Sequence, residues 1–406
     1  MKSSVRIRLS VLMFLQYFIW GTWYVTMGTY ILTSLKADAL HVGSAYANLS
    51  IAAIVSPFFV GLIADRFFSA QKVLGFLHLS GALLLYYIST VQEFNSFWWL
   101  LLVYALLYMP TISLANSVSF KQMKDSQKEF PGVRVLGTVG WIVSGLLIGY
   151  LSLENSVLTF RIAAGSSLLL GIFCFFLPHT PPDKKQTKLS SILGLNALVL
   201  FKERSFIIFF LASILICIPL AFYYGFTNPF LNDIGMHNAA GKMTLGQASE
   251  FFFMLVIPLL FIRLGVKKML LIGMFAWVIR YLLFAFGDVD AGMWMLYAGI
   301  ILHGICYDFF FVTGQIYIDN KADDSIKSAA QGLITFATYG MGLLIGSYVS
   351  GYITEIHTLN LDGVISYQWL SVWLIAASIA MVVIVLFFIF FKDKPAVQKS
   401  VNRKSV

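Results

Sequence analysis

Charged side chains are scarce in this chain of 406 residues. Asp, Glu, Lys and Arg together make up 12% of it, whereas about 25% is usual for a soluble domain. Hydrophobic residues account for 59%, and the mean hydropathy is +0.82. One globule cannot hide so much apolar surface from water, so lipid is the solvent that the composition indicates. We therefore expect an all-α integral membrane protein with a lipid bilayer around it.

Cysteine and histidine are too sparse and too scattered to indicate disulfide or metal chemistry. Cys174, Cys217 and Cys306 each fall within an apolar stretch, which favours a packing role. The six histidines show no ligand spacing. The sequence also shows no nucleophile–base pair, Walker loop or soluble output domain. These observations argue against an enzyme, a sensor or an ATP-driven pump, and they predict no metal and no other cofactor.

Long apolar runs are abundant. A helix needs roughly 20 residues to cross a bilayer, and the first run is too long for the core of a cleavable signal peptide. Twelve spans can be drawn, at 9–35, 44–64, 73–91, 97–119, 134–152, 157–178, 206–230, 244–262, 269–286, 292–317, 329–353 and 368–391. This pattern predicts two six-helix halves, as in many secondary transporters.

The longest connection divides the twelve spans into two equal sets. The predicted domains are a six-helix bundle at 1–178, a cytoplasmic linker at 179–205, a second six-helix bundle at 206–391 and a cytoplasmic tail at 392–406. The linker begins with proline and basic residues, and then alternates Leu and Ile with polar residues. This alternation predicts a short helix on the inner membrane surface.

Basic residues are distributed unequally between the two sides of the predicted membrane. If the N-terminus is cytoplasmic, 24 of the 28 Lys and Arg residues lie on the inner side, and Lys36 and Lys242 lie outside. The positive-inside rule predicts this asymmetry and places both termini in the cytoplasm. The net charge of +9 therefore reflects membrane topology, and we expect no nucleic-acid partner.

Two acidic residues lie well inside predicted spans, namely Glu250 and Asp308. A charge at the bilayer centre costs about 2.5–3.5 kcal/mol even on insertion scales, so such residues usually face a cavity and have partners. Both are candidates for proton coupling, and a structural ion pair is the alternative. Of the two arginines inside spans, Arg161 can snorkel to the surface, whereas for Arg280 structural pairing is favoured over ligand binding.

Polar and aromatic residues accompany the two acids on four predicted helices. They are Arg134, Thr138 and Trp141 on span 5, Tyr224 and Asn228 on span 7, Gln247 and Glu250 on span 8, and His303, Tyr307 and Asp308 on span 10. Within each helix, the spacing of three or four residues places most of them on one face. Aromatic faces with a few donors and acceptors are typical of a pocket for a small, flat, hydroxylated molecule. For each residue taken alone, the alternative to ligand binding is a structural contact between helices.

A carboxylic acid in such a pocket offers a mechanism of coupling. Low-dielectric surroundings disfavour the charged form, so the acid can load a proton from one side and release it to the other. The membrane potential supplies about 2.3 kcal/mol per charge per 100 mV, which is sufficient to drive uphill accumulation of a neutral solute. The sequence alone leaves open whether Glu250 or Asp308 carries the proton.

The loop after span 2 resembles the loop motif of the major facilitator superfamily. It reads Gly61-Leu-Ile-Ala-Asp65-Arg66, and Lys72 follows. In that superfamily the motif latches the two halves together on the cytoplasmic side. The resemblance implies that role for Asp65 and Arg66, whereas the alternative is an ordinary charged turn.

The whole chain is similar to the bacterial nucleoside:proton symporters of that superfamily. The similarity is carried by FLQYFIWGTWYVTMGTY (14–30), SLANSVSF, FPGVRVLGTVGW, LGLNALVLFK, GQASE, AWVIRYLLFAFGD and YDFF, in this order. It implies proton-driven nucleoside import by alternating access in the bacterial cytoplasmic (inner) membrane. We expect the transporter to be monomeric.

The resemblance also implies nucleoside contacts. The family's contacts fall on Arg134, Thr138, Gln247, Glu250 and Asp308, and its span-5 aromatic residue is Trp141 here. Four positions depart from the family pattern, namely Ala221, Tyr224, His303 and Tyr307. The changes remove an amide pair and add an imidazole and two phenols. They leave open which nucleoside is carried, and a symporter of another polar solute such as a sugar is the alternative.

Overall fold

The computed structural model describes residues 2–63, 68–181, 195–323, 326–361 and 364–392. The described chain is almost entirely helical. Up to residue 181 the helices are α1 (Ser3–Trp23), α2 (Met27–Thr33), α3 (Ala39–Ile63), α4 (Ala70–Ile88), α5 (Phe94–Lys121), α6 (Ser126–Tyr150) and α7 (Leu158–Phe173), and a short 3₁₀-helix follows at Cys174–Phe176.

The second part of the chain begins with a 3₁₀-helix and contains several interrupted helices. Its elements are the 3₁₀-helix Leu195–Lys202, α8 (Arg204–Asp233), α9 (Ala239–Phe286), α10 (Met293–Ile301), α11 (His303–Tyr307), a π-helical segment (Asp308–Val312), α12 (Thr313–Lys321), α13 (Lys327–Thr335), a second π-helical segment (Phe336–Gly342), α14 (Leu343–Ile356) and α15 (Trp369–Phe390). The 3₁₀-helix Leu195–Lys202 lies within the predicted linker, and residues 182–194 of the linker lie outside the described part.

Nine helices in the described part of the chain are long and apolar enough to cross a membrane. The expectation of an all-α membrane protein is thereby confirmed for the described residues, with one addition.

Strands β1 (Thr358–Leu361) and β2 (Val364–Tyr367) form an antiparallel hairpin that the sequence analysis did not predict. Burial, together with the carboxylates of Asp233, Glu355 and Asp38, raises the pKa of Tyr367 in this hairpin to about 12.

Glycine makes a break within α9. Gly265 has φ of +70°, a conformation that side chains with a Cβ rarely adopt, and it divides the helical run into two parts. The two parts correspond to the predicted spans 244–262 and 269–286. The break allows the chain to turn between the two spans without a longer loop.

The helices pack into two groups. In the first, α1 packs on α6 and α7, and α4 packs on α5 and α7. In the second, α9 packs on α15, and α8 packs on α14 and α15. Between the groups, α3 lies against α14, α6 against α9, and α2 against α8. Residues from both groups therefore meet along a shared interface.

A buried polar network stabilises the first group from within. The Gln16 amide nitrogen donates to Thr111 Oγ1 at 2.7 Å, and its amide oxygen lies 2.9 Å from His78 Nε2. Tyr108 donates its hydroxyl proton to the Gln16 carbonyl at 2.5 Å. Gln16 is fully buried and His78 is 1% exposed, so each polar group requires such a partner. These contacts fix the relative positions of α1, α4 and α5.

The two groups approach most closely at one end of the bundle. A Cβ added to Gly43 of α3 would lie 2.3 Å from the Ser347 carbonyl oxygen and 3.1 Å from Gly351 of α14. A Cβ at Gly28 of α2 would lie 2.3 Å from the Gly225 carbonyl oxygen of α8. Hydrogen bonds also cross at this end, including one of 3.0 Å from the Ala39 N–H to Glu355 Oε2. We call this region the closed end.

Candidate functional site

A narrow cavity lies between the two groups of helices. Three of the predicted site residues, Trp141, Tyr224 and Gln247, line it. Other lining residues come from α1, the turn after it, α6, α8 and α9, and they include Thr26, Tyr223 and Thr244. The cavity leaves only about 20 Å³ for the centre of a water molecule, which is room for one or two waters. In this conformation the helices therefore close tightly around the site.

Aromatic rings near the C-terminal end of α1 pack against two residues that line the cavity, Trp141 and Tyr224. Trp20 and Tyr24 make edge-to-face contacts with Trp141, with ring centroids 5.5 and 6.0 Å apart. Tyr24 also contacts Tyr224 at 5.4 Å, across the interface between the two groups. Aromatic faces in this arrangement suit a flat ring such as a nucleobase.

Tyr17, Trp20 and Tyr24 were not assigned to the site by the sequence analysis. Their spacing of three and four residues places them on one face of α1. This stripe was a usable signal, because the same segment carries part of the family resemblance.

Arg134 and Thr138 lie on the same helix as Trp141, two turns and one turn before it. The Arg134 guanidinium carbon is 4.0 Å from the centroid of the Tyr17 ring, a cation–π contact. The Arg134 charge also acts electrostatically on Glu250 of α9. Arg134 and Thr138 are both half-buried, so their polar groups are partly accessible from the interface.

Glu250 and Asp308 occupy different surroundings. The side chain of Glu250 is 21% exposed, and its Oε2 lies 4.0 Å from His303 Nε2. Asp308 is fully buried, and within the described part of the chain neither of its carboxylate oxygens has a hydrogen-bond partner. Asp308 begins a π-helical segment, a feature often found at functional sites. The charge of Glu250 acts electrostatically on Asp308, so the two predicted coupling acids lie in the same region of the second group.

His303 stands at the centre of a cluster in the second group. Its Nδ1 lies 3.2 Å from Arg280 Nη1, and its ring stacks on Tyr223 with centroids 5.0 Å apart. The Arg280 guanidinium carbon also lies over the Tyr223 ring, 3.5 Å from the ring centroid. Arg280 is therefore paired with an imidazole and an aromatic ring, and its position next to His303 was not foreseen from the sequence.

Tyr307 contacts a residue that the sequence analysis did not assign to the site. Its hydroxyl group is hydrogen-bonded to the hydroxyl group of Tyr339. Tyr339 lies in the π-helical segment Phe336–Gly342. The two phenols join the end of α11, directly before Asp308, to the second π-helical segment.

Asn228 lies at the closed end, and both of its polar side-chain atoms have protein partners. Its Nδ2 donates to Glu154 Oε2 at 3.0 Å, and its Oδ1 accepts from the Thr29 hydroxyl at 2.6 Å. Glu154 also accepts from Asn232 Nδ2 at 2.5 Å and from the Ala240 N–H at 2.8 Å. This carboxylate of the loop between α6 and α7 thus joins α8 and the first turn of α9.

Glu154 was missed by the sequence analysis because it lies between predicted spans, where an acidic residue is unremarkable. Its burial depends on three segments that are distant in sequence. The predicted latch residues Asp65 and Arg66 lie outside the described residues.

The chain is similar to several known transporters. Residues 1–396 match the nucleoside H⁺ symporter family. The chain is 44% identical over 405 residues to the putative nucleoside transporter YegT of Escherichia coli K12, covering 97% of this chain and 95% of that protein. It is 37% identical to the xanthosine permease of the same organism, with 96% of each chain covered.

A solved structure agrees with these sequence matches. The crystal structure of the nucleoside transporter NupG superposes with a TM-score of 0.88 at 32% identity, covering 96% of this chain and 100% of that chain. Both the sequence and the fold therefore match along nearly the whole length.

Proposed function

This chain belongs to the nucleoside H⁺ symporter family, and from that premise we propose that it imports nucleosides together with protons across a bacterial cytoplasmic membrane. One observation supports this most directly. The partly exposed Glu250 lies one helical turn from Gln247, which lines an aromatic cavity at the interface of two helix groups, and Glu250 acts electrostatically on the fully buried Asp308. An interface of this kind can open on either side while the binding site stays between the groups.

The architecture that fits this function is two six-helix halves of the major facilitator type. The helices up to residue 178 form one bundle, and those at 206–391 form the other, joined by a cytoplasmic linker at 179–205 and followed by a tail at 392–406. The interrupted runs Met293–Lys321 and Lys327–Ile356 each count as one crossing, because the π-helical segments bend a helix without ending it. We propose that the transporter acts as a monomer in the bilayer.

The nucleoside is proposed to bind between Trp141 and Tyr224. These rings come from different groups and both line the cavity, so a base held there contacts both halves. Gln247 lines the same cavity, and Arg134 and Thr138 lie along the face of α6 that carries Trp141. Their donors and acceptors can hold the polar edge of the base or the ribose.

The acids carry the proton in this proposal. An unpaired charge in a dry interior is too costly to persist, so the fully buried Asp308 is tolerable when it is protonated. Glu250 is more accessible and lies near the positive charge of Arg134, so it can lose its proton when water enters. We propose that Glu250 exchanges the coupling proton and that the negative charge of ionised Glu250 helps to keep Asp308 protonated.

We propose that Asn228 stabilises the closed end of the bundle and does not contact the nucleoside. Its side chain is occupied by Glu154 and Thr29, which lie across the interface from it. With both termini in the cytoplasm, the closed end faces outward. Breaking the Glu154 contacts would then accompany opening toward the outside during alternating access.

Transport by the purified protein tests the function. Proteoliposomes with an inward proton gradient should accumulate labelled uridine, adenosine or xanthosine. A protonophore should abolish accumulation above equilibrium but leave slow equilibration. Accumulation that a protonophore does not change would refute symport, and a panel in which sugars compete better than nucleosides would move the substrate to a sugar.

A further inference from the structure

Arg280 of α9 is a buried cation in an uncommon environment. It is fully buried, and its Nε and Nη2 have no hydrogen-bond partner within the described part of the chain. Its Nη1 lies 3.2 Å from His303 Nδ1, and its guanidinium carbon lies 3.5 Å from the Tyr223 ring centroid. Burying a guanidinium costs free energy, so its placement next to the proposed site indicates a functional role for Arg280.

The Arg280 contact fixes the tautomer of His303. A guanidinium N–H can only donate a hydrogen bond, so His303 Nδ1 must accept it through its lone pair. The imidazole proton is therefore carried by Nε2. Tyr223 holds the ring plane by stacking on it, with an interplanar angle of 21°, so the direction of the Nε2–H bond is fixed as well.

The Nε2 atom of His303 is the one that faces Glu250. It lies 4.0 Å from Glu250 Oε2, which is beyond the range of about 2.7–3.2 Å for a direct hydrogen bond. A donor and an acceptor at this separation can be bridged by one oxygen atom that accepts from the first and donates to the second. A hydroxyl group has both capacities.

We propose that Arg280 is a positioning residue for cargo recognition. By donating to His303 Nδ1 it keeps the proton on Nε2, so that His303 and Glu250 together bind one hydroxyl group of the nucleoside sugar. This inference rests on the proposed function, because it takes Glu250 and His303 as residues that face the cargo. The tautomer itself can be measured without any transport.

Uptake kinetics test the role of Arg280. The variant R280Q should raise KM by roughly fivefold to tenfold, the loss expected for about one hydrogen bond, with a smaller change in kcat. The variant R280K retains a side chain that can only donate, whereas the glutamine amide can donate or accept, so R280K should stay closer to the wild type. The matched control is R161Q, which removes the other arginine within a predicted span at an exposed position, and it should leave KM unchanged.

A double substitution separates positioning from a general structural effect. If Arg280 acts through His303, R280Q should add little to the KM of H303F, which already lacks the donor. Full additivity of the two substitutions would overturn the proposal. In the wild type, one of the 2′-, 3′- and 5′-deoxy analogues should bind more weakly than the parent nucleoside, and H303F should abolish that discrimination.

Nitrogen-15 spectra of the histidine-labelled full-length protein in lipid report the tautomer directly. The signal that disappears in H303F should show a protonated Nε2 and an unprotonated Nδ1, and R280Q should convert it to a mixture. A protonated Nδ1 in the wild type would refute the inference even if uptake is normal. A wild-type protein that shows the expected tautomer but accumulates no nucleoside would refute the proposed function instead.

Discussion

Glu250 and Asp308 show how strongly the surroundings of a residue determine what it can do. Both are acids on helices of the second group. Glu250 is partly exposed and lies near Arg134 and His303, whereas Asp308 is fully buried without a hydrogen-bond partner in the described chain. Their residue types alone left the assignment of the coupling proton open, and these environments favour Glu250 as the group that exchanges it.

Replacing Glu250 with glutamine tests this assignment. The amide side chain would keep the shape and the hydrogen-bonding capacity but could not release a proton. We expect E250Q to lose gradient-driven accumulation while retaining exchange of labelled for unlabelled nucleoside. Both are measured in the same proteoliposomes. Normal accumulation by E250Q would move the proton to Asp308, and D308N is the comparison that decides this.

Trp141 contributes ring area to the cavity from α6. If a base stacks there, W141A should weaken nucleoside binding by about 1–3 kcal/mol, the range found for stacking of a base on an aromatic side chain. Isothermal titration of the detergent-purified protein measures the dissociation constant. W141F should restore most of the affinity, and a constant unchanged in W141A would remove Trp141 from the site.

Most of the individual site residues could be identified from the sequence, whereas the residues that they contact could not. An acidic residue in an apolar run stands out because a charge within the bilayer is energetically costly, as for Glu250 and Asp308. Residue Glu154 carries no such signal, because its burial arises only when α8 and α9 meet the loop after α6. The pairing of Arg280 with His303 likewise depends on the packing of α9 against α11.

At the level of elements, interruptions in the helices lie close to the proposed site. The π-helical segment Asp308–Val312 begins directly after Tyr307, whose hydroxyl group bonds to Tyr339 of the π-helical segment Phe336–Gly342. A π-helical segment leaves some backbone groups less tightly paired and turns side chains to directions that a regular helix does not offer. The sequence predicted continuous spans here, because hydrophobic periodicity does not report one extra residue in a turn.

The close contact between α3 and α14 provides a test of the closed end. In G43A the added methyl group would lie 2.3 Å from the Ser347 carbonyl, so the helices must separate. Overpacking of this kind costs about 1–3 kcal/mol, and we expect uptake to fall at least about fivefold. Spin labels introduced at Leu40 and Tyr352 should report a wider separation.

Gly165 of α7 is the matched control for this substitution. A Cβ there would meet no atom within 4 Å, and Ala favours a helix more than Gly does. G165A should therefore leave uptake and the label separation unchanged. An equal effect of both substitutions would show that the loss in G43A reflects helix propensity or handling, and would contradict the role of the close contact.

At the scale of the whole molecule, the sequence predicted the class of protein but not the relation between its two helix groups. Composition and the asymmetry of Lys and Arg are sums over the chain, so they are robust to errors at any one span. The narrow cavity and the closed end depend on small residues such as Gly28 and Gly43 meeting carbonyl groups across the interface. These contacts depend on how the helices pack in three dimensions, which a pattern of apolar residues does not specify.

The predicted orientation can be measured on the intact protein. Single cysteines introduced near the exposed residues Lys36 and Lys128 should differ in their reaction with an impermeant maleimide added to whole cells. The first should react from outside, and the second only after the membrane is permeabilised. The reverse result would invert the topology and place the closed end toward the cytoplasm.

The three native cysteines give such experiments an advantage. Cys174, Cys217 and Cys306 are all buried and all have free thiols. Each lies within packed helices, so a water-soluble alkylating reagent reaches them only if those helices come apart. Introduced cysteines can therefore be labelled in the natural chain without first replacing its own cysteines. The slow rate at which the three native thiols are labelled would measure how often the helices around them unfold locally.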